Sequence, residues 1–261
     1  MFVRNERSVK EFIQLYPVVT VIVIINFVLW GIYQVLGLKI GFDIYNWGLG
    51  HNPSVTAGDY HRLITPIFLH ADLAHVAFNS FATILFAPAL ELMIGKFKFI
   101  LFYLATGIIG NVGTYIINPS SEVAHLGASG AIYGLFGIFI FMVYLRKRLI
   151  DPGSAQMITV IFVIGLALSF IQTNINIAAH IFGFIGGFAL APIFLAKAKP
   201  YSIAMVKLRS RHHDDSETSF NPNRWKKKRK APSTNGRGKD IFWFIFIVLV
   251  MIGFIAKFIV N

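Results

Sequence analysis

Six side chains set the chemical possibilities of this sequence: His70, His75, Asn79, Glu91, Ser129 and His180. Each falls in or beside a strongly apolar stretch, where a polar or ionisable group is expensive to place and needs a reason to be there. Ser129 stands in His125-Leu126-Gly127-Ala128-Ser129-Gly130-Ala131-Ile132-Tyr133-Gly134. Small residues on both sides leave its hydroxyl accessible and let the backbone turn sharply into a helix. The first N–H groups of such a helix are free to stabilise a developing oxyanion. A serine is a weak nucleophile until a base takes its proton, and His180, at the end of Ala178-Ala179-His180, is the natural base. No carboxylate accompanies it at comparable depth, so a Ser–His dyad is more economical than a full triad. His75 and Asn79 are four residues apart and share one helical face. The rival use of these side chains is a zinc site built from His70, His75 and His180. The sequence has no HExxH, and no carboxylate lies near them at the same depth, so neither a metal nor a cofactor is expected.

The elements that must position these residues are membrane spans. The chain has 261 residues, 56% hydrophobic and 14% charged, with a mean hydropathy of +0.65, whereas soluble domains carry about 25% charged residues. There is no cysteine, which excludes disulfides and thiolate chemistry. Apolar runs of about 20 residues, the length that crosses a bilayer, lie near Pro17 to Leu36, Leu73 to Ile94, Phe99 to Ile117, Ser129 to Tyr144, Met157 to Ile171 and Ile177 to Leu195. A seventh, Ile241 to Val260, stands apart. The run behind Arg4, Arg7 and Lys10 is long enough to span, so no cleavable leader is expected.

The net charge is +12, and 21 of the 24 Lys and Arg residues fall at the N-terminus or in alternate connections between spans. By the positive-inside rule these clusters are cytoplasmic. The N-terminus is then cytoplasmic, the C-terminus outside, and the loop from Gly37 to Asp72 on the outer side. This arrangement brings His75, Asn79, Ser129 and His180 to similar depth, toward the outer leaflet. Gly130 with Gly134, and Gly183 with Gly187, give the fourth and sixth spans small faces that allow close backbone approach. The organisation expected is an N-terminal segment over 1–16, a six-helix core over 17–197, a basic linker over 198–240 and a seventh transmembrane helix over 241–261. The linker holds Lys226-Lys227-Lys228-Arg229-Lys230. It reads as a flexible, topology-enforcing segment, with lipid headgroups as its alternative contact. No nucleic-acid-binding fold accompanies it.

Taken together the motifs resemble those of one family. Gly127-Ala128-Ser129-Gly130 resembles the GASG of rhomboid proteases. Ala179-His180 with Gly183 and Gly187 is similar to their AHxxGxxxG, His70, His75 and Asn79 to their HxxxxHxxxN, and Glu91 with Gly95 to their ExxxG. Tyr60-His61-Arg62 resembles their first-loop stretch, although a tryptophan usually precedes the arginine. Phe182 stands where a small residue is common, a change that bears on the packing of the fourth and sixth spans.

The resemblance implies an all-α polytopic membrane protein, a rhomboid-like six-helix bundle with an additional seventh helix, in a bacterial cell membrane. It implies an intramembrane serine endopeptidase that cleaves transmembrane protein substrates near the outer face. Ser129 would be the nucleophile and His180 the base. Asn79, His75 and the Ser129 amide would form the oxyanion hole, and Tyr133 would stack on His180. Gly127 and Gly130 would support the site, and His70, Arg62 and Glu91 would be structural. The alternative is a catalytically silent relative that binds membrane proteins and steers their turnover. Intramembrane charges or an inverted repeat, as in a transporter, are not seen. Substrate identity and oligomeric state stay open.

Overall fold

A computed structural model describes Glu6, residues 8–172 and residues 175–201. The basic linker and the seventh span expected from the sequence lie outside the described residues. A short helix α1 (Val9–Leu15) leads into α2 (Pro17–Trp30), which continues as a π-helical turn over Gly31–Val35. Two loop helices follow, α3 (Lys39–Gly48) and α4 (Asn52–Thr56), then 3-10 turns at Tyr60–Leu63 and Thr65–Phe68. The remaining helices are α5 (Leu73–Ile94), α6 (Lys96–Ile117), α7 (Ser129–Leu145), α8 (Pro152–Ile171) and α9 (Ile177–Phe194). Among the described residues there are no strands, and the one isolated β-bridge pairs Gly50 with His125. Among the described residues, five helical segments are long and apolar enough to cross a membrane, and α7 is a shorter apolar sixth.

The helix ends are written into the sequence. Asp72 caps α5 by accepting from the His75 amide at 2.7 Å. Asp151 accepts from Ser154 N at 2.9 Å, with Pro152 in the first turn, where its missing N–H costs nothing. Asn176 Oδ1 accepts from Ala179 N at 3.0 Å and so caps α9. Gly95, at φ +86, makes a one-residue turn from α5 into α6. The sequence-based starts of α6 and α8 therefore move earlier, to Lys96 and Pro152, because a glycine turn and an Asp-Pro cap set them rather than the onset of apolarity.

The central element is α7, with every residue from Gly130 to Met142 buried. Its backbone meets that of α9 at the paired glycines. A Cβ on Gly183 would lie 2.1 Å from the Gly130 carbonyl oxygen, and one on Gly187 would lie 2.0 Å from that of Gly134. Phe182 does not enter this seam: its ring lies over Gly113 of α6, where a Cβ would come within 2.1 Å of it.

On the far side of the bundle, fully buried Glu91 of α5 receives the first free amides of α2. Val18 N donates to it at 3.3 Å and Val19 N at 3.0 Å. Replacing Glu91 with alanine leaves the buried Val19 amide and the part-buried Val18 amide without this acceptor. We expect a loss of about 2–3 kcal/mol, read as a lower Tm in detergent, with Glu91→Gln falling in between because it keeps one acceptor oxygen.

Candidate active site

The approach to Ser129 is pinned by three backbone hydrogen bonds to two loop segments. His125 and Gly50 exchange backbone N–H···O bonds, both at 2.9 Å, and Gly127 N donates to Pro66 O at 2.8 Å. Gly127 sits at φ +125, a conformation that favours glycine, and Ala128 beyond it is fully buried at the start of α7. The chain thus turns into the helix at Ser129, which is half-buried.

His75 and Asn79 reach the same turn from α5. A Cβ on Gly127 would lie 2.6 Å from His75 Nε2 and 3.5 Å from Asn79 Nδ2, so a side chain at 127 would collide with the imidazole. The Asn79 amide nitrogen is enclosed and donates to no acceptor among the described residues. Such a group carries a desolvation cost until something accepts from it.

His180 enters from α9. The residue before it, Ala179, lies against the residue after Ser129: a Cβ on Gly130 would be 3.5 Å from Ala179 O and 3.8 Å from Ala179 Cβ. The neighbours of the two side chains thus face each other across the α7–α9 seam, with room for one methyl group between them. The buried His180 ring is stacked on Tyr133 of α7, with centroids 4.0 Å apart and planes 12° from parallel. Its Nδ1 lies 2.8 Å from Ser169 Oγ of α8, and Tyr133 Oη lies 2.8 Å from that same oxygen. Ser169 went unnoticed in the sequence because a serine in an apolar helix normally bonds its own backbone one turn back.

The remaining residues singled out from the sequence sit around this centre. His70 is fully buried, its ring 5.0 Å from that of His75. Burial, with His75 nearby, pushes its pKa down to about 3, so it stays neutral near pH 7. Its backbone N–H donates to Tyr45 Oη, and that hydroxyl donates back to the His70 carbonyl at 2.9 Å. Arg62 stitches the loop before α5, bonding Asp59, Asn46 O and Leu49 O at 2.8–3.1 Å. His61, where a tryptophan would be usual, stacks on Trp47 at 4.0 Å between ring centroids. Among the described residues no three His, Asp or Glu side chains converge as metal ligands would.

Comparison with known proteins shows the family of the chain. The Rhomboid domain family model matches residues 57–197. The chain is 46% identical over 200 residues to the putative rhomboid protease YdcA of Bacillus subtilis, an alignment covering 76% of this chain and 98% of that protein. It is 37% identical over 153 residues to the rhomboid protease GluP of the same organism, covering 58% of this chain but 30% of GluP. RHOMBOID-like protein 1 of Arabidopsis thaliana is 28% identical over 203 residues. The fold defines a helical, multi-pass membrane protein, and the chain belongs to the rhomboid family of intramembrane serine proteases.

Proposed function

We propose that Ser129 and His180 form the catalytic dyad of an intramembrane endopeptidase that cuts transmembrane segments of other membrane proteins near the outer face. The observation that carries this reading is the seam itself, where the backbones bearing Ser129 and His180 touch and the donors of α5 crowd the turn before Ser129. In the proposed reaction His180 Nε2 takes the Ser129 proton as Oγ attacks the scissile carbonyl carbon. The oxyanion that forms is met by Asn79 Nδ2–H, by the His75 ring and by the Ser129 N–H. The protonated His180 then gives its proton to the leaving amine. A water, activated by the same imidazole, hydrolyses the acyl-enzyme.

Helix length supports a site below the surface. The 17 residues of α7 rise about 25 Å at roughly 1.5 Å per residue, short of the ~30 Å hydrocarbon core. If the Leu145 end, next to Arg146, Lys147 and Arg148, reaches the cytoplasmic surface, Ser129 stops inside the outer leaflet. Lys96 and Lys98 start α6 at the same end of the bundle, in keeping with the positive-inside rule. A substrate must expose a carbonyl there, so segments that unwind easily are preferred.

The test is labelling of the detergent-solubilised protein with a fluorophosphonate, followed by peptide mapping. We expect the adduct on Ser129, and its loss in His180→Ala. A wild-type protein that stays unlabelled would favour a silent relative instead.

A further inference from the structure

Ser169 faces three polar partners with one proton to give. Its Oγ lies 2.8 Å from Gly165 O, 2.8 Å from Tyr133 Oη and 2.8 Å from His180 Nδ1. A hydroxyl donates one hydrogen bond and accepts two. A carbonyl oxygen can only accept, so the Ser169 proton goes to Gly165. The other two contacts must then run toward Ser169, with Tyr133 Oη–H as one donor and His180 Nδ1–H as the other. The count closes with every lone pair and proton used.

We infer that Ser169 is the positioning residue that holds neutral His180 in its Nδ1–H tautomer and leaves the Nε2 lone pair for the nucleophile. The inference rests on the dyad proposed above. Which imidazole nitrogen carries the proton is set by the bond the other nitrogen makes. With the Nε2–H tautomer, a bare Nδ1 would face a Ser169 oxygen whose proton is already committed, and Nε2 would have no lone pair with which to take the Ser129 proton. The two contacts on the ring divide the work: Tyr133 fixes its plane by stacking, and Ser169 fixes its rotation about that plane.

The local sequence supports the arrangement. Ser169 is 1% exposed and bonds back to a carbonyl of its own helix, which sets its rotamer. Gly165 leaves room for the tyrosine hydroxyl, since a Cβ there would lie 3.2 Å from Tyr133 Oη. A neutral acceptor also suits the membrane. A carboxylate in the same place would be a buried charge with a large desolvation cost, whereas the serine strengthens its bond to the ring only when the ring becomes charged during the reaction.

The experiment uses the full chain in detergent with a fluorogenic transmembrane-segment substrate. Ser169→Ala should lower kcat about tenfold with KM within about twofold of wild type, the loss of one hydrogen bond felt in the transition state. Ser169→Thr keeps the hydroxyl and should retain most of the activity. A packing role alone would leave the tautomer untouched. We therefore expect the His180 ring, observed by 15N NMR of histidine-labelled protein and assigned against His180→Ala, to be Nδ1–H in wild type and mixed in Ser169→Ala. Wild-type kcat in Ser169→Ala, or an Nε2–H ring in the wild-type protein, would overturn the inference. Ser129→Ala run alongside separates the two levels: cleavage surviving there sinks the dyad, while its abolition with an indifferent Ser169→Ala sinks only the role of Ser169.

Discussion

Ser129→Ala will insert and fold like the wild-type protein and cleave no transmembrane substrate above background, a fall in kcat of about 10⁴-fold or more. The magnitude follows from the role proposed for the hydroxyl. Without it no acyl-enzyme forms, and the donors that remain around Gly127 can only polarise a carbonyl that nothing attacks. Folding should be spared, because Ser129 is half-buried at the first position of α7, and the Ala128 carbonyl still accepts from Ile132 N at 3.0 Å. His180→Ala should be equally inactive but less clean. It removes a buried ring from the face of Tyr133 and takes a partner from Ser169, so some stability, roughly 1–3 kcal/mol, is lost as well. The double variant should fall no further than either single one, because residues that act as a unit are not additive. Measurable cleavage by Ser129→Ala, after exclusion of a contaminating protease with the double variant, would refute the dyad. The readout is product formation from a purified substrate, with circular dichroism and Tm as the folding controls.

Much of this architecture can be read from the residues themselves. Long apolar runs interrupted by basic clusters give the spans, because water-free surroundings leave helices as the economical way to pair every backbone group. The polar candidates stand out for the same reason: a histidine or asparagine in such a run must have a partner or a task. Ser129, His180, His75 and Asn79 stand out on that ground, and the charge pattern puts all four at similar depth. The loop helices α3 and α4 and the π-helical turn after Trp30 were not, since their stability comes from tertiary bonds such as those of Arg62 to Asn46 O and Leu49 O. Ser169 was hidden by a different cause. Its bond to Gly165 O is what any helical serine would make, and its second role exists only because α7 and α9 bring Tyr133 and His180 to the same oxygen. Apolar periodicity carries no information about that rotational setting.

The effect of a methyl group at Gly183 should rival that of losing a catalytic side chain. The Gly183 Cβ would lie 2.1 Å from Gly130 O, 2.9 Å from Gly130 C and 3.2 Å from Gly130 Cα. These are backbone atoms of the residue that follows Ser129, so no rotamer change relieves the clash. Either α9 moves away from α7 or α7 bends, and both displace His180 from Ser129. A misplacement of about 1 Å at a reacting pair costs on the order of 10²-fold in rate, and overpacking of this kind destabilises by roughly 1–3 kcal/mol. Gly183→Ala should therefore lose about two orders of magnitude in kcat while still folding at low temperature. The comparison with Gly130→Ala is the sharper test. Both glycines line the same seam, and a reading based only on small-residue spacing would treat them alike. Yet a Cβ on Gly130 meets nothing closer than Ala179 O at 3.5 Å, an ordinary contact, and Gly130→Ala should keep most of the activity. Because Gly187 faces the Gly134 carbonyl one turn further from the site at 2.0 Å, Gly187→Ala should cost comparable stability and a smaller share of the rate. Rates and Tm measured together on the three variants would separate catalytic geometry from packing. Equal behaviour of Gly130→Ala and Gly183→Ala would mean that the seam is not what sets the distance between nucleophile and base.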